Sequence, residues 1–368
     1  MTNKIIIIGG GIVGASSAYF LSKQGTSVTL IDRADDGQAT DAAAGIICPW
    51  LSQRRNKAWY RLVKAGAKMY PELIADLEAD GELDTGYKRV GALSIHHDKK
   101  KLIAMQERAI KRREDAPEIG DIQLLDETMA KEKFPLLRDG YEALYVSGAA
   151  RVDGRKLRDA LIRGAVKHGT KLIHGSAELL IEGNQVTGVT VDGEKYFSDQ
   201  VIATTGAWMN DLLEPFGLKE FEVKPQKAQI LHVRFEKLDT ENLPVIMPPN
   251  DQYMLSFDDH RFVIGATHED NVGYDTNLTV FGINDILTKA LEIAPALKDS
   301  IFLEARVGFR PMTEGFLPVI GKLKSATGLL YANGLGATGL TAGPFLGKQL
   351  AKMALHESTD INLEDYQL

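Results

Sequence analysis

Cysteine is almost absent: Cys48 stands alone among 368 residues, which excludes an internal disulfide framework and a multi-cysteine metal site. Such usage accords with a reducing cytosol, and a cytoplasmic protein is the expectation. Long apolar runs are missing as well. The apolar opening, residues 5–8, is far too short for the core of a signal peptide and runs straight into three glycines, so neither an export signal nor a membrane span is expected. Nor is there a surplus of positive charge. A net charge of −7 argues against nucleic acid as a partner. The basic clusters Lys99-Lys100-Lys101 and Lys111-Arg112-Arg113 flank a helical pattern and are followed by Glu114 and Asp115, as on a solvated helix face. The eight histidines show no metal-binding spacing, the carboxylates form no recognisable pair, and no metal is expected.

What is present is the composition of an ordinary globular protein, 44% hydrophobic and 25% charged, in a chain longer than one core usually serves. Two domains are therefore expected. Residues 5–8 are β-branched without polar alternation, as in a strand buried on both faces of a parallel sheet. Small and apolar residues from Ala15 to Leu21 then read as a helix stopping at Gly25, and residues 28–31 as a second strand, a complete βαβ unit.

Helices are expected over residues 56–79, 99–113, 155–167 and 338–355, and strands over 90–97, 143–146, 171–173, 177–182, 185–191, 195–202 and 328–333. Beyond Pro225 the segments 228–235, 253–257, 261–267 and 302–309 alternate like strands of an antiparallel sheet with one exposed face, with Asp258-Asp259-His260 as a hairpin turn. No Pro- or Ser-rich linker, low-complexity tract or internal repeat divides the chain. The expected fold is α/β: a Rossmann-type nucleotide domain from residues 1–81, 148–222 and 322–368, interleaved with an α+β substrate domain from 82–147 and 223–321.

Gly9-Gly10-Gly11-Ile12-Val13-Gly14 places the spacing Gly9, Gly11, Gly14 between strand and helix. Glycines there permit the tight turn, close approach of a pyrophosphate and close helix packing, while helix-terminal amides face the anion. Asp32 ends the second strand about 20 residues on, where an acid accepts from ribose hydroxyls and repels a ribose phosphate. This favours FAD or NAD over NADP. Two further segments bear on the choice between them. Thr40-Asp41-Ala42-Ala43-Ala44-Gly45-Ile46 is a run of small residues suited to a flat ring system, or else a plain loop. Gly334, Gly336, Ala337, Thr338, Gly339 and Leu340 form a second strand-to-helix entry, whose amide dipoles suit the anionic edge of a reduced flavin; packing alone is the bland alternative.

These segments, with Arg151-Val152-Asp153, Ala203-Thr204-Thr205-Gly206-Ala207-Trp208 and Gly308-Phe309-Arg310-Pro311-Met312-Thr313, resemble the D-amino-acid oxidase superfamily of flavoproteins over nearly the whole length. Within it the chain is similar to glycine oxidases, sarcosine oxidases and small D-amino-acid dehydrogenases. The resemblance implies that Ile12, Val13, Asp32, Arg33, Thr40, Ala44, Gly45 and Ile46 touch FAD, with Ala177 contributing through its backbone. Thr205, Gly206 and the C-terminal glycine segment would join them. It also implies that Arg310 pairs with the substrate carboxylate and that Tyr253 lines the pocket, the alternatives being a surface ion pair and a core tyrosine. Ala337 stands where some glycine oxidases carry a second arginine, and Gly308 where the sarcosine oxidases carry their flavin-linking cysteine, so FAD without a covalent link is expected. Cys48 reads as a buried small hydrophobe.

The activity so implied is oxidation of an amino acid, a secondary amine, glycine-like compound or D-amino acid, by hydride transfer to FAD, with dioxygen or another acceptor taking the electrons. Three other readings stay open: a 2-hydroxy-acid dehydrogenase, an NAD-dependent dehydrogenase, and a non-catalytic FAD-binding subunit of a larger complex. The sequence allows a homo-oligomer.

Overall fold

The run of isoleucines explains the first layer. In the computed structural model, which describes residues 3–218 and 222–367, the strand Lys4–Ile8 is central in a six-stranded sheet. Ile5 and Ile7 pack with Ala15, Ala18 and Leu21 of the helix Ile12–Lys23, while Ile6 and Ile8 pack with Leu179, Val186 and Val189 on the other face. Neither face meets water, so neither can be polar. The sheet runs Val319–Lys322, Leu329–Asn333, Gln200–Ala203, Lys4–Ile8, Ser27–Asp32, Lys171–His174, parallel except for its first strand. Residues 319–321, expected in the substrate domain, thus belong to this sheet. Val319 and Ile320 are buried there and pair antiparallel with Asn333 and Ala332, a hairpin that no local pattern announced.

A three-stranded antiparallel sheet, Ala177–Glu182, Gln185–Val191 and Glu194–Phe197, covers the second face. The single strand expected over 195–202 is therefore two strands in different sheets. Ser198 and Asp199 break it: Ser198 N–H donates to Thr187 O, and the Asp199 carboxylate accepts from Lys4 N–H at 2.8 Å.

The second large sheet has eight strands in the order Ile301–Met312, Lys224–Arg234, Arg261–Gly265, Tyr253–Ser256, Val245–Met247, Ala92–His96, Glu142–Val146, Ile122–Leu125. All pairs are antiparallel except Val245–Met247 with Ala92–His96. The exposed face expected of it is covered. Ala228 and Ile230 join the core shared with the first sheet, while Leu231 and Val233 pack with Ile286, Ala290 and Ile293 of the helix Val280–Ile293. Polar residues of the observed strand are buried and paired: Lys227 Nζ donates to Asp275 and Asn277 O, and Gln229 to Glu269 and Thr279. A satisfied polar group can sit inside, so alternation overstated exposure. Among the described residues no helix is long and apolar enough to cross a membrane.

Candidate functional site

The glycine turn is closed by contacts that only glycine allows. Gly9 has φ +98°, and a Cβ there would lie 2.5 Å from Thr204 O; a Cβ on Gly14 would lie 1.8 Å from Gly9 O. Thr204 Oγ1 donates to Ile8 O and Gly9 O, holding the turn against the neighbouring strand. The helix Ile12–Lys23 begins after Gly11 without a side-chain cap from its own N-cap residue; Ile12 N–H donates instead to Thr40 Oγ1 at 3.1 Å. Thr40 thus serves the helix start, and its hydroxyl proton remains available to a ligand. Asp32 accepts from Gly10 N–H and, through its other oxygen, from Ala34 N–H at 2.6 Å and Gln38 Nε2 at 3.0 Å.

The turn opens into a cavity of about 700 Å³ between the two large sheets. About Asp32 it is lined by Arg33, Gly175, Ser176, Ala177 and Glu178, Gly175 N–H donating to Asp32 O. Gly9, Gly11, Ile12, Val13, Thr40, Ala44, Gly45, Ile46, Thr205 and Gly206 line its course, and Gly336, Ala337, Gly339 and Leu340 form a further wall. Gly45 is required where it stands: its φ is +96° and a Cβ would lie 1.7 Å from Val152 O, while Val152 N–H donates to Gly45 O. The Arg151-Val152-Asp153 triplet therefore builds the wall without touching the cavity. Arg151 is fully buried against Asp258 and Glu241 O, and Asp153 caps the helix Gly154–Lys167 and pairs with Arg261 at 2.8 Å.

Three residues expected to touch the cofactor do not line the cavity: Gly14, Gly334 and Thr338. Gly14 sits behind the turn it permits. Gly334, at φ +75°, packs against Thr313 and donates to Asn333 Oδ1, and Thr338 Oγ1 donates to Leu335 O just before the helix Gly339–Ala354. They shape the wall by sterics and hydrogen bonding.

Arg310 lies on the strand Ile301–Met312, opposite Gln226, and faces the cavity with Tyr253 and His268. Its Nη1 donates to Gln226 Oε1 at 3.1 Å and Thr267 O at 3.2 Å, and among the described residues it makes no ion pair. Burial pushes its pKa down, and the adjoining Tyr253 phenol opposes that shift. Burial pushes the Tyr253 phenol up, against the pull of Arg310. Sequence reasoning missed His268 and Asp251, which line the same region. His268 is held below the ordinary histidine range by burial and then by the charge of Arg310. The signal lay in strand pairing: Tyr253 sits opposite Gly265, so residues just past that strand end flank Tyr253. Trp208, also missed, lines the cavity and stacks on Tyr274 at 5.4 Å, with Phe309 edge-on to both. Cys48 lies outside the lining, and burial pushes its thiol up to about 12.

The residues present fit a flavin dinucleotide. A carboxylate ends the second strand, the helix starts at Ile12 and Gly339 lack caps from their own N-cap side chains, and glycine backbone lines the course between. The volume lies within the range of small-molecule and cofactor pockets.

A model of the FAD dependent oxidoreductase family DAO matches residues 4–353. The chain is 56% identical over 98% of its length, and 97% of the other's, to the uncharacterized oxidoreductase YurR of Bacillus subtilis. It is similar to the crystal structure of iminodiacetate oxidase from Chelativorans sp. BNC1, with a TM-score of 0.95 and 41% identity, covering 99% of this chain and 98% of that one. It is 28% identical to a glycine oxidase of Pseudomonas aeruginosa over 96% of this chain and 95% of that protein.

Proposed function

Because the chain belongs to the DAO family of FAD dependent oxidoreductases, we propose that it oxidises an amine at the carbon next to a carboxylate, with a secondary amine of the N-substituted glycine kind as substrate. The observation that carries this reading is Arg310, a cavity-facing guanidinium pushed down by burial and without an ion-pair partner among the described residues. A guanidinium fork matches a carboxylate in two hydrogen bonds, and Gln226 and Thr267 O hold one nitrogen so that the fork has one orientation. The 41% identity to an iminodiacetate oxidase, named for a secondary amine with two carboxylates, supports the same class. The NAD-dependent reading is set aside by the family.

Asp32 would hold ribose hydroxyls, the start of the helix Ile12–Lys23 the pyrophosphate, and the segments at Ala44–Ile46 and Gly336–Leu340 the ring system, without a covalent link. FAD, when bound, supplies the acceptor for a hydride, and dioxygen or another acceptor then takes the electrons. The protein's part is orientation and dry surroundings. Arg310 fixes the carboxylate and hence the α-carbon, Tyr253 closes the pocket beside it, and the Trp208 ring forms an apolar wall. The amine enters neutral, so no strong base is required. Loss of the α hydride and an N–H proton leaves an imine, which water hydrolyses to an amine and an oxo acid.

A second reading, oxidation of a 2-hydroxy acid, is favoured by one observation: His268 lines the cavity near Arg310 and is held neutral at neutral pH. One screen separates the two. Anaerobic flavin bleaching is measured with iminodiacetate, sarcosine, glycine, proline, D-amino acids and 2-hydroxy acids, and repeated with Arg310→Ala. N-substituted glycines are expected to bleach fastest, and the variant to lose about 2 to 5 kcal/mol of substrate binding. Bleaching by hydroxy acids alone overturns the amine reading, and wild-type affinity in the variant overturns the carboxylate clamp.

A further inference from the structure

A second cavity, of about 630 Å³, lies between the start of the helix Lys57–Ala79, the later half of the helix Lys99–Arg113 and residues 53–56. Its lining carries seven cationic side chains and one carboxylate, Asp115, in a chain whose net charge is −7. The concentration is therefore local. Arg112, expected on a solvated helix face, is half-buried here: it donates to Trp50 O and Ser52 O, and its guanidinium lies 4.4 Å from the centre of the Tyr60 ring.

The charge is not balanced from within. Asp115 is taken by Lys64 at 2.6 Å, and Arg61 reaches away to Asp365. Among the described residues no carboxylate pairs with Arg55, Lys57, Arg108 or Arg112. Arg108 and Arg112 stand one helical turn apart, where like charges repel. The helix Lys57–Ala79 brings its positive end with no acidic residue in the first turn. Two polar atoms, Tyr60 Oη and Arg108 Nε, are buried without any hydrogen-bond partner, an unfavourable state that a bound acceptor relieves. Burial also pushes the Arg112 guanidinium down, with Arg108 adding to the shift.

We propose that this cavity is a binding site for a small polyvalent oxyanion, a molecule carrying phosphate groups or several carboxylates, held by Arg108, Arg112 and Tyr60 inside and by Arg55 and Lys57 at the mouth. One anion answers every imbalance at once: it accepts from Tyr60 O–H and Arg108 Nε–H, separates the like charges, and sits at the helix N-terminus. A volume of this size admits a metabolite-sized ligand, and the guanidinium forks suit planar or tetrahedral oxyanions. The site shares no lining residue with the flavin cavity, so it stands whatever the substrate there.

The test is calorimetric titration of the FAD holoenzyme with pyrophosphate and, separately, citrate, in about 0.15 M KCl, where the Debye length of about 8 Å screens loose surface attraction. Saturable binding of one anion per chain is expected. Tighter pyrophosphate assigns the phosphate class and tighter citrate the carboxylate class. Binding is expected to weaken at least tenfold in Arg108→Ala and to weaken in Tyr60→Phe, while Arg310→Ala leaves it unchanged. The double variant Arg55→Ala/Lys57→Ala, at exposed positions, is expected to weaken it without risk to folding. Absence of saturable binding by both anions overturns the proposal, as does equal binding in the double variant or loss of binding in Arg310→Ala.

Discussion

At the scale of the residue, burial decides which groups titrate. His232 is almost wholly buried in the strand Lys224–Arg234, and its pKa is lowered to about 3 by burial and then by Arg306 and Arg261. The unfolded chain, with histidine near its ordinary value, binds the proton more readily than the folded one. The stability it contributes is therefore present above about pH 6.5 and is lost as pH falls toward about 3, by about 1.4 kcal/mol per pH unit. In thermal unfolding between pH 6.5 and 4, His232→Gln is expected to show a shallower decline of Tm than the wild type; parallel declines would contradict it. Of the cavity-lining residues, Arg310 and Tyr253 were singled out through the surrounding resemblance. His268 was not, since nothing near it in sequence marks a site; it becomes one by lying past a strand end that registers against Tyr253.

At the scale of the element, the strand–turn–helix opening is a steric construction. A methyl group on Gly14 has no room against Gly9 O, and the helix cannot withdraw, because its far side is packed against the helix Gly339–Ala354, where a Cβ on Gly347 would lie 2.6 Å from Ser16 Cβ. Gly14→Ala is expected to destabilise by about 1 to 3 kcal/mol and to yield protein with little flavin. Flavin absorbance per chain after purification checks this; a full complement of flavin at wild-type Tm would refute it. The second glycine-rich entry is tied to the helix Lys57–Ala79, whose Tyr70 donates its phenol to Leu340 O. Most elements were readable from periodicity. Among those missed were the helix Val280–Ile293, whose apolar face meets the large sheet, the short helix Glu127–Lys133, and the strands Ile122–Leu125, Val245–Met247 and Val319–Lys322, each too short to show a period of its own.

At the scale of the whole molecule, the cavity is a seam. Asp32 and the glycine turn belong to the first large sheet and its helix, while Arg310 and Tyr253 belong to the second, so a flavin filling the cavity bridges both. Two charged pairs from the Arg151-Val152-Asp153 triplet cross the same seam directly, Asp153 with Arg261 and Arg151 with Asp258. Removing FAD is accordingly expected to lower Tm of the entire chain. Returning it at about 100 times its dissociation constant is expected to restore about 2.7 kcal/mol. Differential scanning calorimetry of stripped and reloaded protein measures this; a transition unchanged by stripping would show that the seam holds without the cofactor.

The sequence by itself determined the dinucleotide unit, because a tight turn, a helix start and an acid at a strand end are set by sterics and hydrogen bonds within a few tens of residues. It also marked the second glycine entry and, through resemblance, the arginine. Tertiary structure alone decided what those parts face. Polar alternation in residues 228–235 looked like exposure until the helix Val280–Ile293 supplied burial and Glu269 and Thr279 supplied partners for Gln229. Arg112 looked like part of a solvated helix face until a second helix brought Tyr60 and the cationic residues of 54–64 around the same cavity. Charge and burial are properties of surroundings, and surroundings are assembled by contacts far apart in the chain.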